Sequence, residues 1–347
     1  MTQLTDLTPS DRVLVVAPHP DDESIATGGL LQAARAAGAI RRVLLVTDGD
    51  NNPWPQRWSE KRWHIGPVER ARWGLRRRTE AISALTVLGV DPEHVRYLGL
   101  PDLGITAALM SGVPNVAEQL RTEIDQFQPT LIVLPELEDR HPDHSALHVA
   151  VKLALEQRRP AVRLLAFAVH GPTPREGDVA LVLTDVQRET KRAAIQMHAT
   201  QMQLSRKRFV AYAKQRERFR AVLEHAGADP QHPLRAERIG GDLCVRVDHN
   251  RWRGALRGLS LFVVAFNAAG TVVRFRITPL AGTDASIRDM VTGTDTGRAR
   301  VRRTSAESVI TLVGQGGLQR GWIKLGAAEP GLFVFDKIGW QTISPSS

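Results

Sequence analysis

A single cysteine, Cys244, stands in a chain of 347 residues. It excludes an internal disulfide and a cysteine-rich metal site, and it fits a reducing compartment. Long apolar runs are also missing. The longest, Leu259 to Ala269, is too short to cross a bilayer. The opening stretch, Met1 to Arg12, is polar and lacks the apolar centre of a secretory signal. No zinc-finger, helix-turn-helix or RNA-stacking motif occurs, nor any internal repeat or low-complexity tract. These absences predict a cytoplasmic protein with no transmembrane segment and no nucleic-acid partner.

The composition itself is that of a globular protein, 42% hydrophobic and 24% charged. The length allows one large domain and a smaller one. A formal charge of +9, carried mainly by arginine, suits an anionic partner, and equally suits a general solubility surface.

Residues 12 to about 170 alternate strand-like and helix-like segments. Apolar runs at Arg12–Val16, Arg42–Thr47 and Thr130–Leu134 read as buried strands, and Val95–Leu98 as a short strand. Between them, Ser24–Ala37, Glu69–Leu88, Asn115–Phe127 and Ser145–Glu156 read as helices, two of them stopped by Gly38 and Gly89. Such alternation predicts an α/β fold, a Rossmann-like and mostly parallel sheet flanked by helices. Val162–His170 and Ala180–Leu183 read as further strands, Asp185–Met197 as a helix and Ser205–Glu224 as a long charged helix. From about residue 240 the chain turns to Val, Thr, Gly and Arg with period-two runs, which predicts an appended C-terminal antiparallel β domain. The expected division is 1–230 and 240–347, with Gly227–His232 as linker.

One inserted segment is unusual. Residues 54–78 hold Trp54, Trp58, Trp63 and Trp73 among eight arginines and lysines. It reads either as a lid with aromatic platforms for sugar and basic groups for phosphate, or as a loop anchored by buried tryptophans.

The chemistry is concentrated in two clusters. Ala17-Pro18-His19-Pro20-Asp21-Asp22-Glu23 follows the first strand, and His141-Pro142-Asp143-His144 follows the strand at Leu131–Leu134. The carboxyl ends of strands in an open α/β sheet are where ligands bind. His19 and Asp22, three apart across a strand-to-helix turn, can face one point, and His144 can supply a third ligand. A His/Asp/His set with one open position suits a catalytic zinc ion, while iron, manganese and cobalt fit the same donors. Asp21 is then a spare carboxylate able to take a proton from an activated water. His141 lies close enough to act on the substrate, and Asp143 is suited to fixing a histidine tautomer. Pro142 sits well in the first turn of the following helix. The competing interpretation is structural, since Pro and Asp favour turns for their own sake.

These residues resemble the LmbE/PIG-L-like zinc-dependent de-N-acetylases. The two clusters are similar to that family's two motifs, and Thr47-Asp48-Gly49, Arg77 with Glu80, Leu100-Pro101-Asp102, and Lys191 through His198 to Gln201 are similar to pieces between and after them. The resemblance spans about residues 10–225. It implies zinc held by His19, Asp22 and His144, Asp21 as general base, and His141 as the group that stabilises the oxyanion and protonates the leaving amine. It also implies that Arg77 and Asp102, as substrate-binding residues, hold the sugar hydroxyls or a neighbouring group. Some members carry a tyrosine two residues before the first histidine of the second motif; here that residue is Asp139. The implied reaction is removal of an N-acetyl group from an amino-sugar (GlcNAc-type) glycoconjugate, small-molecule or lipid-linked.

Two other readings remain open on sequence. One is a zinc amidase that removes a longer N-acyl group from a lipid or antibiotic glycoside. The other is a glycan-binding protein with an inactive α/β domain, which the presence of all five His and Asp residues argues against. The β domain has no assigned role: Arg251, Trp252 and Arg253 could touch an anionic sugar, but a Trp between two arginines reads more readily as a packed ring with solvated neighbours, which favours a packing or homo-oligomer role over glycan recognition.

Overall fold

The structure is a computed structural model, and it describes residues 7–343 apart from 113–114, 157–161, 172–177, 224–226, 255 and 328–337. The first six residues of the polar opening stretch and the last residue of the expected 205–224 helix lie outside the described residues.

The apolar run Val13–Val16 becomes the centre of β1 (Arg12–Ala17), with every residue from Val13 to Ala17 buried. A strand buried on both faces cannot alternate apolar and polar residues, which is why the run is continuous. On one side β1 pairs in parallel with β2 (Ile40–Thr47), which pairs with β3 (Val95–Leu100). On the other side it pairs in parallel with β4 (Leu131–Pro135), and β4 with β5 (Arg163–Phe167). Two antiparallel strands, β6 (Val179–Val182) and β7 (Arg216–Ala221), complete a seven-stranded sheet of order β3-β2-β1-β4-β5-β7-β6. The order reverses between β1 and β4, and the crevice at such a switch is the place where an α/β sheet takes its ligand.

Helices α1 (Asp22–Ala36), α3 (Pro67–Val87), α5 (Val116–Phe127) and α6 (Pro142–Leu155) fall where the helical pattern predicts them, within a few residues. Two short helices were not legible. The tryptophan-rich insertion contains α2 (Pro53–Glu60), and α4 (Ile105–Met110) follows β3. After α7 (Asp185–Met197) the expected charged helix is overturned. Helix α8 spans Ala199–Val210, and the chain then enters β7. The sequence Arg216-Glu217-Arg218-Phe219-Arg220 alternates, and its buried members are Glu217 and Phe219. A strand places those two on one face; a helix would not.

Glu217 explains why a charge can sit there. Its Oε1 lies 2.6 Å from Lys191 Nζ on α7, and both side chains are about 2% exposed. The same carboxylate accepts the backbone N–H groups of Gly29 (2.6 Å) and Leu30 (2.9 Å) on α1. Gly29 permits this approach, since a Cβ there would lie 2.3 Å from Leu183 Cδ2 and 3.0 Å from Glu217 Cδ. One buried ion pair thus ties α1, α7 and β7 together.

The chain divides into two compact units, the second of which contains the last third of the chain. Its nine strands are β8 (Leu234–Ile239), β9 (Asp242–Asp248), β10 (Leu259–Phe266), β11 (Val272–Thr278), β12 (Asp284–Asp289), β13 (Asp295–Arg303), β14 (Glu307–Leu312), β15 (Gly321–Ala327) and β16 (Gln341–Ile343). All pair antiparallel, in the order β16-β15-β10-β11-β12-β13-β14-β9-β8. Gln341 Nε2 donates to the carbonyls of Asp229 (2.9 Å) and Leu234 (3.3 Å), which draws β16 to the β8 edge. The inner face packs Val245, Leu261, Val263, Ile287 and Ile310, with Trp252 half-buried against it.

Lys191→Met leaves Glu217 buried without its cation, at an expected cost of about 3–5 kcal/mol. Chemical denaturation should show this as a lowered midpoint. An unchanged midpoint would mean that the pair does not hold the three elements together.

Candidate active site

The first cluster leaves β1 and is pinned at once. The Pro18 carbonyl accepts both Thr47 N–H (2.9 Å) and Thr47 Oγ1–H (2.8 Å) from the end of β2. Asp48 N–H reaches the Leu100 carbonyl at the end of β3 (3.0 Å), so the three strand ends are stitched into one rim.

On that rim His19 sits between two carboxylates. Its Nδ1 is 3.1 Å from Asp22 Oδ2, and its Nε2 is 3.2 Å from Asp102 Oδ1. Asp22 Oδ2 also accepts the His19 backbone N–H at 3.1 Å. Asp102, expected to hold a sugar hydroxyl or a neighbouring group, contacts the His19 ring. Its backbone N–H donates to Asp50 Oδ1 (2.9 Å), holding the β3 loop to the β2 loop.

Asp21 occupies a strained backbone, with φ 148° and ψ −28°. A non-glycine residue persists in such a conformation only where its surroundings over-determine it. Here its carbonyl accepts Ser24 N–H (3.1 Å) and Ile25 N–H (2.9 Å) at the start of α1, and its own N–H donates to Glu23 Oε2 (2.9 Å). Burial pushes the Asp21 carboxyl up to about 6 and neighbouring Asp22 adds to the rise, while Arg77, His198 and His19 pull against it.

Arg77 is 4% exposed and committed to this wall. Its Nη1 donates to the Gly49 carbonyl (2.8 Å), and its Nη2 to the Pro20 carbonyl (2.7 Å) and Asp21 Oδ2 (3.1 Å). Gly49, at φ +60°, is required, because a Cβ there would lie 1.9 Å from Arg77 Nη1. Arg77, expected to hold a sugar hydroxyl or a neighbouring group, therefore braces Asp21.

The second cluster opens α6, with Pro142 as its first residue. His141 is 6% exposed, and Asp143 and His144 are fully buried. The Asp143 backbone N–H donates to His141 Nδ1 (3.3 Å), so in this orientation His141 carries its exchangeable proton on Nε2. The rings of His141 and His144 stand 5.1 Å apart. Asp139, at the position where some family members carry a tyrosine, is 1% exposed and accepts the N–H groups of Val169 (2.9 Å) and His170 (3.0 Å). It fastens the loop after β5.

Among the described residues, His19, His141 and His144 each offer a ligand atom within 4.8 Å of the others, and so do His19, Asp102 and Asp143. The His19–Asp22 separation of 3.1 Å is close to that between two ligands of a tetrahedral ion at about 2.0–2.2 Å. A buried N/O donor set of this kind fits a divalent metal. Of the expected residues, His19, His141, His144, Asp102 and Asp143 fall in these two groups, Asp22 adjoins His19, and Asp21 and Arg77 form the adjoining wall.

The sequence motifs give no role to Glu23 and His198. Glu23 Oε1 lies 3.2 Å from His198 Nε2, and both are buried. Burial works against a charge on His198, yet its hydrogen bond to Glu23 and the charges of Glu23 and Asp21 push it above its ordinary value. Similarly, Glu80 accepts Thr200 Oγ1–H (2.6 Å) and ties α3 to α8.

Residues 14–155 match the family model described as PIG-L, GlcNAc-PI de-N-acetylase. The chain is 28% identical over 244 residues to a 1D-myo-inositol 2-acetamido-2-deoxy-alpha-D-glucopyranoside deacetylase of Mycobacterium sp. (strain KMS), covering 58% of this chain and 77% of that one. To the protein of the same name in Mycolicibacterium gilvum it is 31% identical over 191 residues, covering 50% and 64%. A solved deacetylase of the teicoplanin biosynthetic pathway superposes with a TM-score of 0.48 at 25% identity, covering 61% of this chain and 98% of that one.

The Arg77–Asp21 contact generates a prediction for the hydrolysis expected of these motifs. A general base works only when deprotonated, so the rate falls as pH drops through its pKa. Arg77 lowers that pKa, so Arg77→Met should move the acid limb of kcat/KM upward by on the order of one pH unit. Arg77→Lys keeps the charge and should leave the limb near its original place. A limb that shifts equally in both variants would show that Arg77 acts through packing alone.

Proposed function

We propose, from the match of residues 14–155 to the PIG-L de-N-acetylase family model, that this protein is a metal-dependent amidohydrolase that removes the N-acetyl group of a GlcNAc-type amino sugar, releasing acetate and a free amine. The observation that carries this reading is the meeting of His19 with His141 and His144 at the ends of β1 and β4, the switch point of the sheet. The curated relatives matched over most of their length act, by name, on a 2-acetamido sugar linked to inositol, and an amino-sugar glycoconjugate is the substrate class assigned here.

His19, Asp22 and His144 are the residues that would hold zinc. When bound, the ion supplies Lewis-acid polarisation of the acetyl carbonyl and acidification of water. Every other step falls to side chains. Asp102 on His19 Nε2 fixes the ring so that Nδ1 faces Asp22, the carboxylate–histidine arrangement that orients ligands in metal sites. Asp21 accepts the proton of the attacking water. Its raised affinity for protons, set by burial, brings it toward the range where a base works best near neutral pH. Arg77 aims that carboxylate and limits the rise. His141 Nε2–H donates to the developing oxyanion, and the amine departs with the proton that Asp21 took from water. Asp143, through its backbone N–H, keeps His141 in that tautomer. The lone, buried Cys244 accords with action in the cytoplasm.

Asp21→Asn should lower turnover by about two to four orders of magnitude, as loss of a general base does, while zinc content by elemental analysis stays at the wild-type level. Full turnover in that variant removes Asp21 from the mechanism. His144→Ala should instead lose the metal, with content reduced about tenfold or more and acetate release gone. Retention of stoichiometric metal would reassign the ligand set. Following acetate against longer carboxylic acids, with N-acylated glucosaminides as substrates, checks the acyl group.

A further inference from the structure

The insertion between β2 and α3 does not behave as an anchored loop. Only Trp73 of its four tryptophans is buried, while Trp54, Trp58 and Trp63 are 59%, 80% and 85% exposed. Trp54 and Trp58 stand four apart on α2 and so share one helix face. The opposite face, Pro55 and Gln56, is buried. Gln56 Nε2 donates to the Glu69 carbonyl (2.7 Å), so the helix is fastened to α3 with its tryptophans turned outward. On α3, Val68 and Leu75 are 73% and 65% exposed and lie seven apart, again on one face. Ion pairs Arg72–Glu60 (2.5 Å) and Arg62–Glu69 (3.0 Å) bind the two helices side by side.

Large apolar side chains left in water in such density mark an interaction surface. The charge on the same surface says what kind. Residues 54–78 hold eight Lys and Arg against two acidic residues; Arg77 is buried in the site wall, and Arg62, Arg72, Arg76 and Arg78 pair with Glu69, Glu60, Glu80 and Asp48, so Arg57, Lys61 and Arg70 are the cations left to this surface. Outward tryptophans among basic side chains on a short amphipathic helix have the chemistry of a peripheral contact with anionic lipid: the indoles enter the headgroup layer, and the cations stay with the phosphates. No described helix is long and apolar enough to cross a membrane, so the contact would be made from one side. The insertion leaves from the end of β2, on the same rim as His19, which sets the contact beside the site.

We propose that α2 and the neighbouring face of α3, through Trp54, Trp58 and Trp63 with Lys61 and Arg57, dock the protein on the surface of an anionic phospholipid bilayer. The binding requires no turnover, so it stands or falls separately from the deacetylase reading.

The test is co-sedimentation of the full chain with vesicles of phosphatidylcholine containing phosphatidylglycerol, against vesicles of phosphatidylcholine alone. Partition should favour the anionic vesicles and weaken as salt rises. Brominated lipid should quench the tryptophan emission. The triple variant Trp54→Ser, Trp58→Ser, Trp63→Ser should lose about tenfold or more of the partition together with the quenching. It should keep its melting temperature and its acetate release from a water-soluble amino-sugar substrate. Three results would overturn the proposal: no partition at low salt, equal partition by the triple variant, or partition without quenching. A triple variant impaired on the soluble substrate, with vesicles ignored by both proteins, would assign the tryptophans to substrate instead.

Discussion

Two parallel strands side by side, β1 and β4, carry the whole arrangement. Their neighbours on either side, β2 and β5, follow connections that diverge, and a crevice at the carboxyl ends is expected at such a switch. Each strand is a continuous apolar run buried on both faces, and each run is followed without delay by a histidine-bearing turn. Residues 19 and 141–144 can therefore converge although more than a hundred residues separate them. A slip in the β1–β4 register, Val13 against Leu131 through Val15 against Val133, would displace one cluster along the strand axis by about 3.3 Å per residue. Ligand atoms that must share one ion tolerate no such shift.

The second constraint is the management of buried charge. Asp21, Asp22 and Glu23 follow one another in the sequence, and all three are buried. Three adjacent carboxylates in a poorly solvated wall would repel one another unless each had a separate partner. They are divided accordingly: Asp21 to Arg77, Asp22 to His19, Glu23 to His198. The strained backbone at Asp21 follows from that division, since it turns successive side chains toward three different elements. The partners come from α3, from the rim itself and from the junction of α7 with α8. The Lys191–Glu217 pair then holds α7 against α1 from behind, so the helix that bears His198 cannot drift from the helix that bears Glu23.

Much of this was legible in the chain, and the reasons are local. Continuous apolar runs and glycine stops were sufficient for β1, β2, β4 and α1, and the two histidine clusters declared themselves by residue type. What escaped was information carried by partners far away in sequence. Glu217 looked like one more charge on a helix until Lys191 and the Gly28–Gly29 pair supplied a buried place for it. Arg77 and Asp102 were expected to hold sugar hydroxyls or a neighbouring group, and which neighbours they serve, Asp21 and His19, was not legible. A buried arginine whose donors serve two carbonyls and a carboxylate cannot be told from a solvent-facing one by spacing. The insertion at 54–78 was ambiguous for the opposite reason. Its tryptophans fit burial or exposure equally well by composition, and only α2, turned by Gln56, decides which three face outward.

Asp139 shows how a departure from a family pattern acquires a physical account. An aromatic hydroxyl at that position would have to point toward the reacting carbonyl. The aspartate points elsewhere, and its carboxylate closes two backbone N–H groups of the loop after β5. Those amides belong to a turn at the end of a parallel strand, where ladder partners run out and a side-chain acceptor is needed. The position has therefore been given to the scaffold. On the proposed reading, assistance to the oxyanion then rests on His141. Its ring stands 5.1 Å from that of His144, and a backbone N–H from Asp143 directed at Nδ1 leaves its exchangeable proton on Nε2. The tautomer of His141 thus depends on the first turn of α6, and the proline that starts the helix is part of what makes the histidine useful.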